Sequence, residues 1–533
     1  MDLNECVDNL ELMRTWLDNC RDNHTRWCGD HEYFLPTRLL DLEAFEDSED
    51  VRLVTMEQPN IGHSQKEHLL KYVALSHCWG PPSKHPLTTT KATLRERQTR
   101  IPFTKLPLTF QDAVKTTRAL KRRYLWIDSL CIIQGDEEDW AKEAASMTKV
   151  YRCSDFTIAA TGSKDSSEGC RTTNDIQSLC QNRFVDIDFI SGKSGGATSP
   201  QRVRIFEGRL PDLESSPEEP LSRRAWALQE KELSRRFISF TPMGLYWKCF
   251  WNPSRFDWVH DGCTATSFRP WEHHKLEFIS SNPRECRDFI QPGNEAWFKI
   301  VEDYSARSLT NESDRMVALS GIARYMQKVF TDAKYVGGIW STALPVALLW
   351  VPLPTDEPTS ESMDQNLGYI APSWSWASAR SRVTMLLLET IRHFADIDFS
   401  TPRLGYNIAY DDLKVEEVIV IPKYDDPYGA LSYGALVLSG ARLVNVEIDP
   451  NHLWRMTKDG AYAGDVALDS PRCFDPNDGR KLYCLAIWED DYVRGLVLRE
   501  GHSPADGYSR VGIAHVDDVT LFDSIEVRTI KLV

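Results

Sequence analysis

The stretch KRRYLWIDSLCIIQGDEEDWAKEAASMTKVYRCSDFTIAA, residues 121–160, constrains the fold more than any other part of this chain. Residues 124–133 are an apolar run with one carboxylate, Asp128, in the middle. Over 137–151, Trp140, Ala144, Met147 and Tyr151 recur at helical spacing and mark one face. Residues 156–160 return as a second short apolar run. A buried strand, a covering helix and another buried strand make an α/β unit on a parallel sheet. The acid inside the first strand needs a partner or an exposed strand end, because burying an unpaired carboxylate is costly. Gln134, Asp136 and Asp139 crowd the loop that follows, and acidic groups there also suit the positive end of the next helix.

Upstream, KYVALSHCWG (71–80) reads as the preceding strand. Val73, Leu75 and His77 share one side, and Ala74, Ser76 and Cys78 the other. A Gly-Pro-Pro turn ends it, so Ser76, His77, Trp79 and Gly80 fall at the carboxyl end of a strand, where open α/β sheets hold ligands. Ser76 and His77 face opposite ways and make a poor nucleophile pair; a plainer role is to tie down the turn. A helix is expected over 107–120, with Thr109 and Asp112 as a capping-box-like start and a basic stop at 121–123. Strand, helix and strand then form a right-handed βαβ unit.

Further on, SRRAWALQEKELS (222–234) is helical, with Trp226, Glu230 and Leu233 on one face. A glutamate between two apolar anchors is either in a structural ion pair with Arg223 or a neighbouring arginine, or directed into a pocket. Residues 161–215 read as an insertion, and its GKSGGATSP run lacks the full phosphate-loop pattern. After about 260 the character changes. Helices are expected within 297–326 and over 335–350, a Trp-rich turn or strand at 371–378, and strands from 433 onward. This is a C-terminal α+β domain with no catalytic constellation.

With 533 residues the chain exceeds one ordinary core. Its expected division is a helical lead segment at 1–55, an α/β domain at 56–260 and the C-terminal domain at 261–533. The net charge of −16 argues against a general nucleic-acid binder. No signal pattern opens the chain and no apolar run reaches the roughly 20 residues that span a bilayer. Together with 13 scattered cysteines, this predicts a cytoplasmic protein with reduced thiols and no membrane span. Trp16, Cys20, His24 and Cys28 recur every four residues in the lead segment. Cys20, His24 and Cys28 offer three zinc ligands, which Cys6 or His31 would complete. No standard zinc spacing is matched, which favours an apolar stripe with cysteine as a small hydrophobe. No required metal or cofactor is therefore read from the sequence.

Taken together, YVALSHCWG (72–80), LWIDSLCIIQGDEEDWAKEAASMTKVY (125–151) and SRRAWALQE (222–230) resemble the fungal heterokaryon-incompatibility (HET) family. DRMVALSGIA (314–323) and APSWSWAS (371–378) resemble segments that accompany it. The resemblance implies an effector of non-self recognition and regulated cell death, working through self-association and a further incompatibility or receptor protein. The family is similar in turn to TIR domains, which are flavodoxin-like, and some of which cleave NAD⁺. The implied fold is α/β, a flavodoxin/TIR-like, mainly parallel sheet with insertions, followed by the α+β domain. The implied catalytic carboxylate is Glu230, in a W-x-L-x-E helix, with Glu143 as rival on the helix before the third strand. Ser76, His77, Trp79, Gly80, Asp128 and Trp226 would hold the substrate, NAD⁺. The competing implication is a non-enzymatic signalling module whose motifs serve fold and partner binding.

Overall fold

Short apolar runs become a nine-stranded sheet among the described residues: β1 (Arg38–Asp41), β2 (Arg52–Thr55), β3 (Tyr72–Ser76), β4 (Tyr124–Trp126), β5 (Phe156–Ala159), β6 (Arg236–Thr241), β7 (Gly244–Cys249), β8 (Arg255–His260) and β9 (Cys263–Phe268). The computed structural model describes residues 3–29, 32–57, 70–170, 184–189, 201–206, 219–241, 244–250, 255–260, 263–268, 292–328, 330–353, 368–385, 407–408, 413–470, 478–489 and 492–533. In space the strands run β9-β8-β7-β6-β5-β3-β4-β1-β2. The middle four are parallel. Val73 of β3 lies between Phe156 of β5 and Leu125 of β4, and Phe237 of β6 pairs with Thr157 of β5. Antiparallel strands extend both edges. Every residue of β3, β5 and β6 is buried, as expected of parallel strands covered on both faces.

The helices include α1 (Leu3–Asn23), α2 (Thr25–Cys28), α3 (Leu108–Ala119), α4 (Asp128–Cys131), α5 (Glu137–Cys153) and α6 (Ala225–Leu233), of which α3, α5 and α6 fall where the 3.6-residue spacing puts them. Helix α3 buries Phe110, Ala113, Val114 and Thr117. Its start differs from the expected capping box. Thr109 Oγ1 and Asp112 Oδ2 accept from the backbone N–H groups of Gly169 and Cys170, so they pin a distant loop instead. The opening stretch also differs in one respect. The strand ends at Trp126, and Asp128 begins the short helix α4, with its carboxylate accepting from Ser129 N at 2.7 Å. The residues 124–133 are therefore not one strand, and Asp128 stands at the strand's end.

The chain divides into two compact units, Met1–Trp271 and Glu272–Val533. The first includes the lead segment, whose β1 and β2 are hydrogen-bonded into the sheet. Of the insertion, Phe184–Phe189 and Gln201–Phe206 pair as antiparallel strands; the 192–200 run lies outside the described residues.

In the second unit, Pro292–Ser305 and Val317–Met326 are helices. The expected helix at 335–350 does not form. Gly337 and Gly338 both take positive φ and turn the chain between two short strands, Tyr335–Val336 and Ile339–Trp340. The Trp-rich run is a buried turn that docks on that hairpin, with Trp297 Nε1 and Trp376 Nε1 both donating to Gly338 O, at 2.9 and 2.7 Å. The β pattern after 433 does more than form an open sheet. Leu443–Ile448, Arg455–Lys458, Ala461–Leu468, Tyr508–Val516, Val493–Glu500 and Leu482–Glu489 pair successively, and the last pairs back to the first. The ring is a closed antiparallel barrel around Val444, Val466, Cys484, Val497 and Val511, and closure removes the edges an open sheet would expose.

Candidate functional site

Chain order places a carboxylate beneath the carboxyl end of β3. Ser76 is the last residue of that strand and is buried; its hydroxyl donates a very short hydrogen bond to Glu230 Oε2 on α6. Tyr151, near the end of α5, donates from its hydroxyl to Leu75 O at 3.3 Å and also reaches Glu230. Glu230 is 2% exposed. Burial pushes its carboxyl up to about 7, against the lowering influence of the nearby Arg224 charge and the Ser76 hydroxyl. A carboxylate held this close to neutrality can change its protonation state under ordinary conditions.

On the other face of β3 the alternation predicted from sequence holds. The His77 ring meets Phe110 edge-on at 5.0 Å, and its Nδ1 lies 3.7 Å from Asp128 Oδ1. Burial holds the imidazole neutral, pushed down to about 4 despite the nearby acid. Its Nε2 is buried with no hydrogen-bond partner among the described residues. Asp128 also accepts from Trp79 Nε1 at 2.8 Å, which fixes the indole over the loop after β3.

That loop is built tightly. Arg224, just ahead of α6, donates a very short hydrogen bond to His77 O. Ser166 Oγ donates to Cys78 O at 3.4 Å. Gly80 has φ +80, and a Cβ there would sit 2.5 Å from Asp165 Cβ. Cys78 is buried and its thiol is pushed up to about 11, which removes it as a nucleophile. Ser76, Tyr151 and Glu230 are thus buried together on one face of the strand's end and His77 on the other, while Trp79, Gly80, Asp128 and Arg224 are half-buried around the loop that follows.

The remaining sequence candidates separate from this group. Glu143 is buried on α5, but its neighbours are Arg38, 3.8 Å away, and the Thr37 side chain. Arg38 also bridges to Asp139 at 2.5 Å and to Cys131 O at 2.6 Å. Glu143 thus belongs to a clamp between β1 and α5. Trp226 is half-buried and packs against the main apolar core. The arginine that acts on Glu230 is Arg224, while Arg223 is exposed. Tyr151 was legible as an inward-facing residue of its helix but not as a partner of Glu230. Cys20 on α1, Cys28 on α2 and His24 between the two helices are not part of the group around Glu230.

An α/β domain with a buried titratable carboxylate under the end of its first parallel strand is the class that fold and site define. Residues 72–230 match the sequence profile of the family described as heterokaryon incompatibility protein (HET), and this segment is a HET domain. The matched segment begins at β3 and ends on Glu230, so it spans both halves of the site. No curated protein and no solved structure gives a significant match. Among the described residues no helix is long and apolar enough to cross a membrane.

Proposed function

We propose that this chain is a heterokaryon-incompatibility-type effector that kills by hydrolysing NAD⁺, with Glu230 as the catalytic carboxylate. The observation that carries the reading is the Ser76–Glu230 hydrogen bond, which joins the first and last motifs of the HET segment at one buried point. Strand order supports it. From β3 onward the parallel strands are placed second-first-third-fourth, the order with which flavodoxin-like sheets begin, and Ser76 ends the strand at the switch point.

The chemistry balances simply. The bond between nicotinamide and ribose C1′ breaks, and nicotinamide leaves with the electron pair. Positive charge builds on the ribose, water adds to C1′, and its proton passes to solvent. An ionised Glu230 would stabilise that charge and hold the ribose hydroxyls, as carboxylates do in glycoside hydrolysis. Asp128 and the Trp79 indole would orient the ribose or a ring at the loop after β3. Self-association and a partner that relieves the burial of Glu230 would then control the activity.

A second reading has its own support. Glu230 is 2% exposed and held by Ser76, which suits a carboxylate fixed for structure in a non-enzymatic signalling module. Wild type and Glu230→Gln, both checked for folding by circular dichroism, separate the two when nicotinamide release from NAD⁺ is measured at high protein concentration. Release by wild type that falls about a hundredfold or more in Glu230→Gln is expected. Cell killing without NAD⁺ loss, and equal in both proteins, would sink the enzymatic reading.

A further inference from the structure

The row Cys20, His24, Cys28 meets a fourth ligand that sequence spacing could not supply. Cys249, the last residue of β7, lies 221 residues beyond Cys28 (249 minus 28) and returns to the same point. One ligand atom from each of the four residues lies within 4.8 Å of all the others, and these atoms are buried, although the His24 ring as a whole is half-buried. Cys20 and Cys28 are single turns of chain away from His24: His24 N donates to Cys20 O at 3.0 Å and Cys28 N to His24 O at 2.8 Å. Cys249 Sγ is 3.6 Å from His24 Nδ1. A tetrahedral zinc with sulfur at about 2.3 Å and nitrogen at about 2.0 Å would hold those two atoms about 3.6 Å apart.

We propose that Cys20, His24 through Nδ1, Cys28 and Cys249 bind one structural zinc ion that clamps the N-terminal helices to β7.

The surroundings fit a metal better than an apolar stripe. Arg236 sits on β6 directly opposite Cys249 in the ladder. It donates from Nε to Cys20 Sγ at 3.3 Å and from Nη2 to Cys28 O at 2.9 Å. A buried guanidinium aimed at sulfur serves a thiolate, not a small hydrophobe. Zinc with three thiolates and a neutral imidazole carries one net negative charge, which the guanidinium balances in a site where an unbalanced charge would be expensive. Arg236 is itself held by Asp155, whose Oδ1 lies 3.3 Å from Nη1, and Asp155 is bridged to Arg122 at 2.6 Å. This chain of partners orients the donor in the manner of the outer shells of metal sites. Three sulfurs and one ring nitrogen, with no oxygen ligand in the group among the described residues, select zinc over magnesium or calcium, and the four-ligand set points to a structural ion. Trp16 packs against Trp247 on the same two elements, with the rings tilted at 5.8 Å between centroids, so the clamp closes over a packed apolar contact.

The full-length chain, purified without chelator, tests the site by elemental analysis. One zinc per chain is expected in wild type, and loss of it in Cys249→Ser and Cys20→Ser. His24→Cys, which keeps four ligands, should retain the ion, and so should Cys6→Ser and His31→Ala. If the serine variants fail to fold, cobalt(II) substitution of the wild type decides the matter through its sulfur-to-cobalt charge-transfer band and intense tetrahedral visible bands. A folded wild type that holds no zinc after incubation and dialysis, or shows no such spectrum, would overturn the proposal. So would zinc retained in Cys249→Ser, or a Cys20–Cys28 disulfide found by non-reducing peptide mapping. These outcomes are independent of whether Glu230 cleaves NAD⁺.

Discussion

Ser76 at the end of β3 and Glu230 on α6 are joined by a buried hydrogen bond across 154 residues of chain. The bond closes the parallel sheet onto its last covering helix and leaves a carboxyl group where water does not reach. The Ser76 and Tyr151 hydroxyls and the Arg224 charge do not repay the loss of hydration, so desolvation dominates and the carboxyl is pushed up to about 7. A site that stores this cost is a site where stability and function should trade against each other.

Glu230→Gln is expected to stabilise the protein at pH 8. The native state keeps the Glu230 proton up to about 7, whereas the unfolded chain releases it near 4.5. Folded chains therefore bind more protons in that window, and stability falls as pH rises from about 4.5 to 7, then levels off. A shift of that size corresponds to about 3 kcal/mol. Glutamine keeps the Ser76 contact and has no charge to bury, so its advantage should be greatest at pH 8 and should vanish near pH 4. Urea denaturation at both pH values measures it. A variant less stable than wild type at pH 8 would show that a favourable ion pair with Arg224 outweighs the desolvation.

Arg38 should behave in the opposite way. It is buried and serves Asp139, Glu143 and Cys131 O together. Arg38→Met leaves the buried Glu143 and the half-buried Asp139 without their cation and should cost about 3 kcal/mol. Adding Glu143→Gln to that variant should recover part of the loss, a coupling that a double-mutant cycle reads directly. Glu143→Gln alone should leave nicotinamide release unchanged, because Glu143 is spent on the clamp.

The contrast between these two glutamates marks what sequence could reveal. The helices at 107–120, 137–151 and 222–234 were legible because their apolar faces repeat at 3.6 residues, and β3 because its residues form one apolar run before a Gly-Pro-Pro stop. The placement of Glu230 on an inward face was legible for the same reason. Its hydroxyl partner was not, since a contact across 154 residues leaves no periodic trace. Cys249 escaped for the same cause: three metal ligands are local and the fourth is brought by sheet pairing. The barrel at 443–516 was legible as strands but not as a ring, because closure depends on which strands pair and not on their alternation. The strand 124–133 was read too long because Leu130 and Cys131, buried on a short helix, look the same in sequence as strand residues.

Gly80→Ala probes the loop after β3. The residue's φ of +80 is a conformation that alanine adopts at a cost, and the new methyl would meet Asp165 Cβ at 2.5 Å. Asp165 cannot swing away cheaply, because it is held by Lys84 at 2.8 Å and by Ser167. The loss should be about 3 kcal/mol in chemical denaturation. Since the same loop carries Trp79, the proposed NAD⁺ hydrolysis would have the substitution also weaken substrate binding, seen as a raised KM with a smaller change in kcat.

Ser76→Ala tests whether the hydroxyl positions Glu230 or merely fills space. The hydrogen bond favours the charged carboxylate, so removing it should raise the Glu230 pKa further. Hydrogen bonds to charged groups contribute roughly 1.5–3 kcal/mol, which corresponds to a rise of about one pKa unit or more. If ionised Glu230 is the form that stabilises the ribose cation, nicotinamide release in wild type should increase with pH through about 7. In Ser76→Ala the same rising limb should move to higher pH, with activity approaching wild type only at the alkaline end. Ser76→Thr retains a hydroxyl and should leave the midpoint near its original value. Nicotinamide release by Ser76→Ala that is slower by the same factor at every pH would instead assign the serine to packing, because a lost packing contact has no reason to move the titration of a carboxylate.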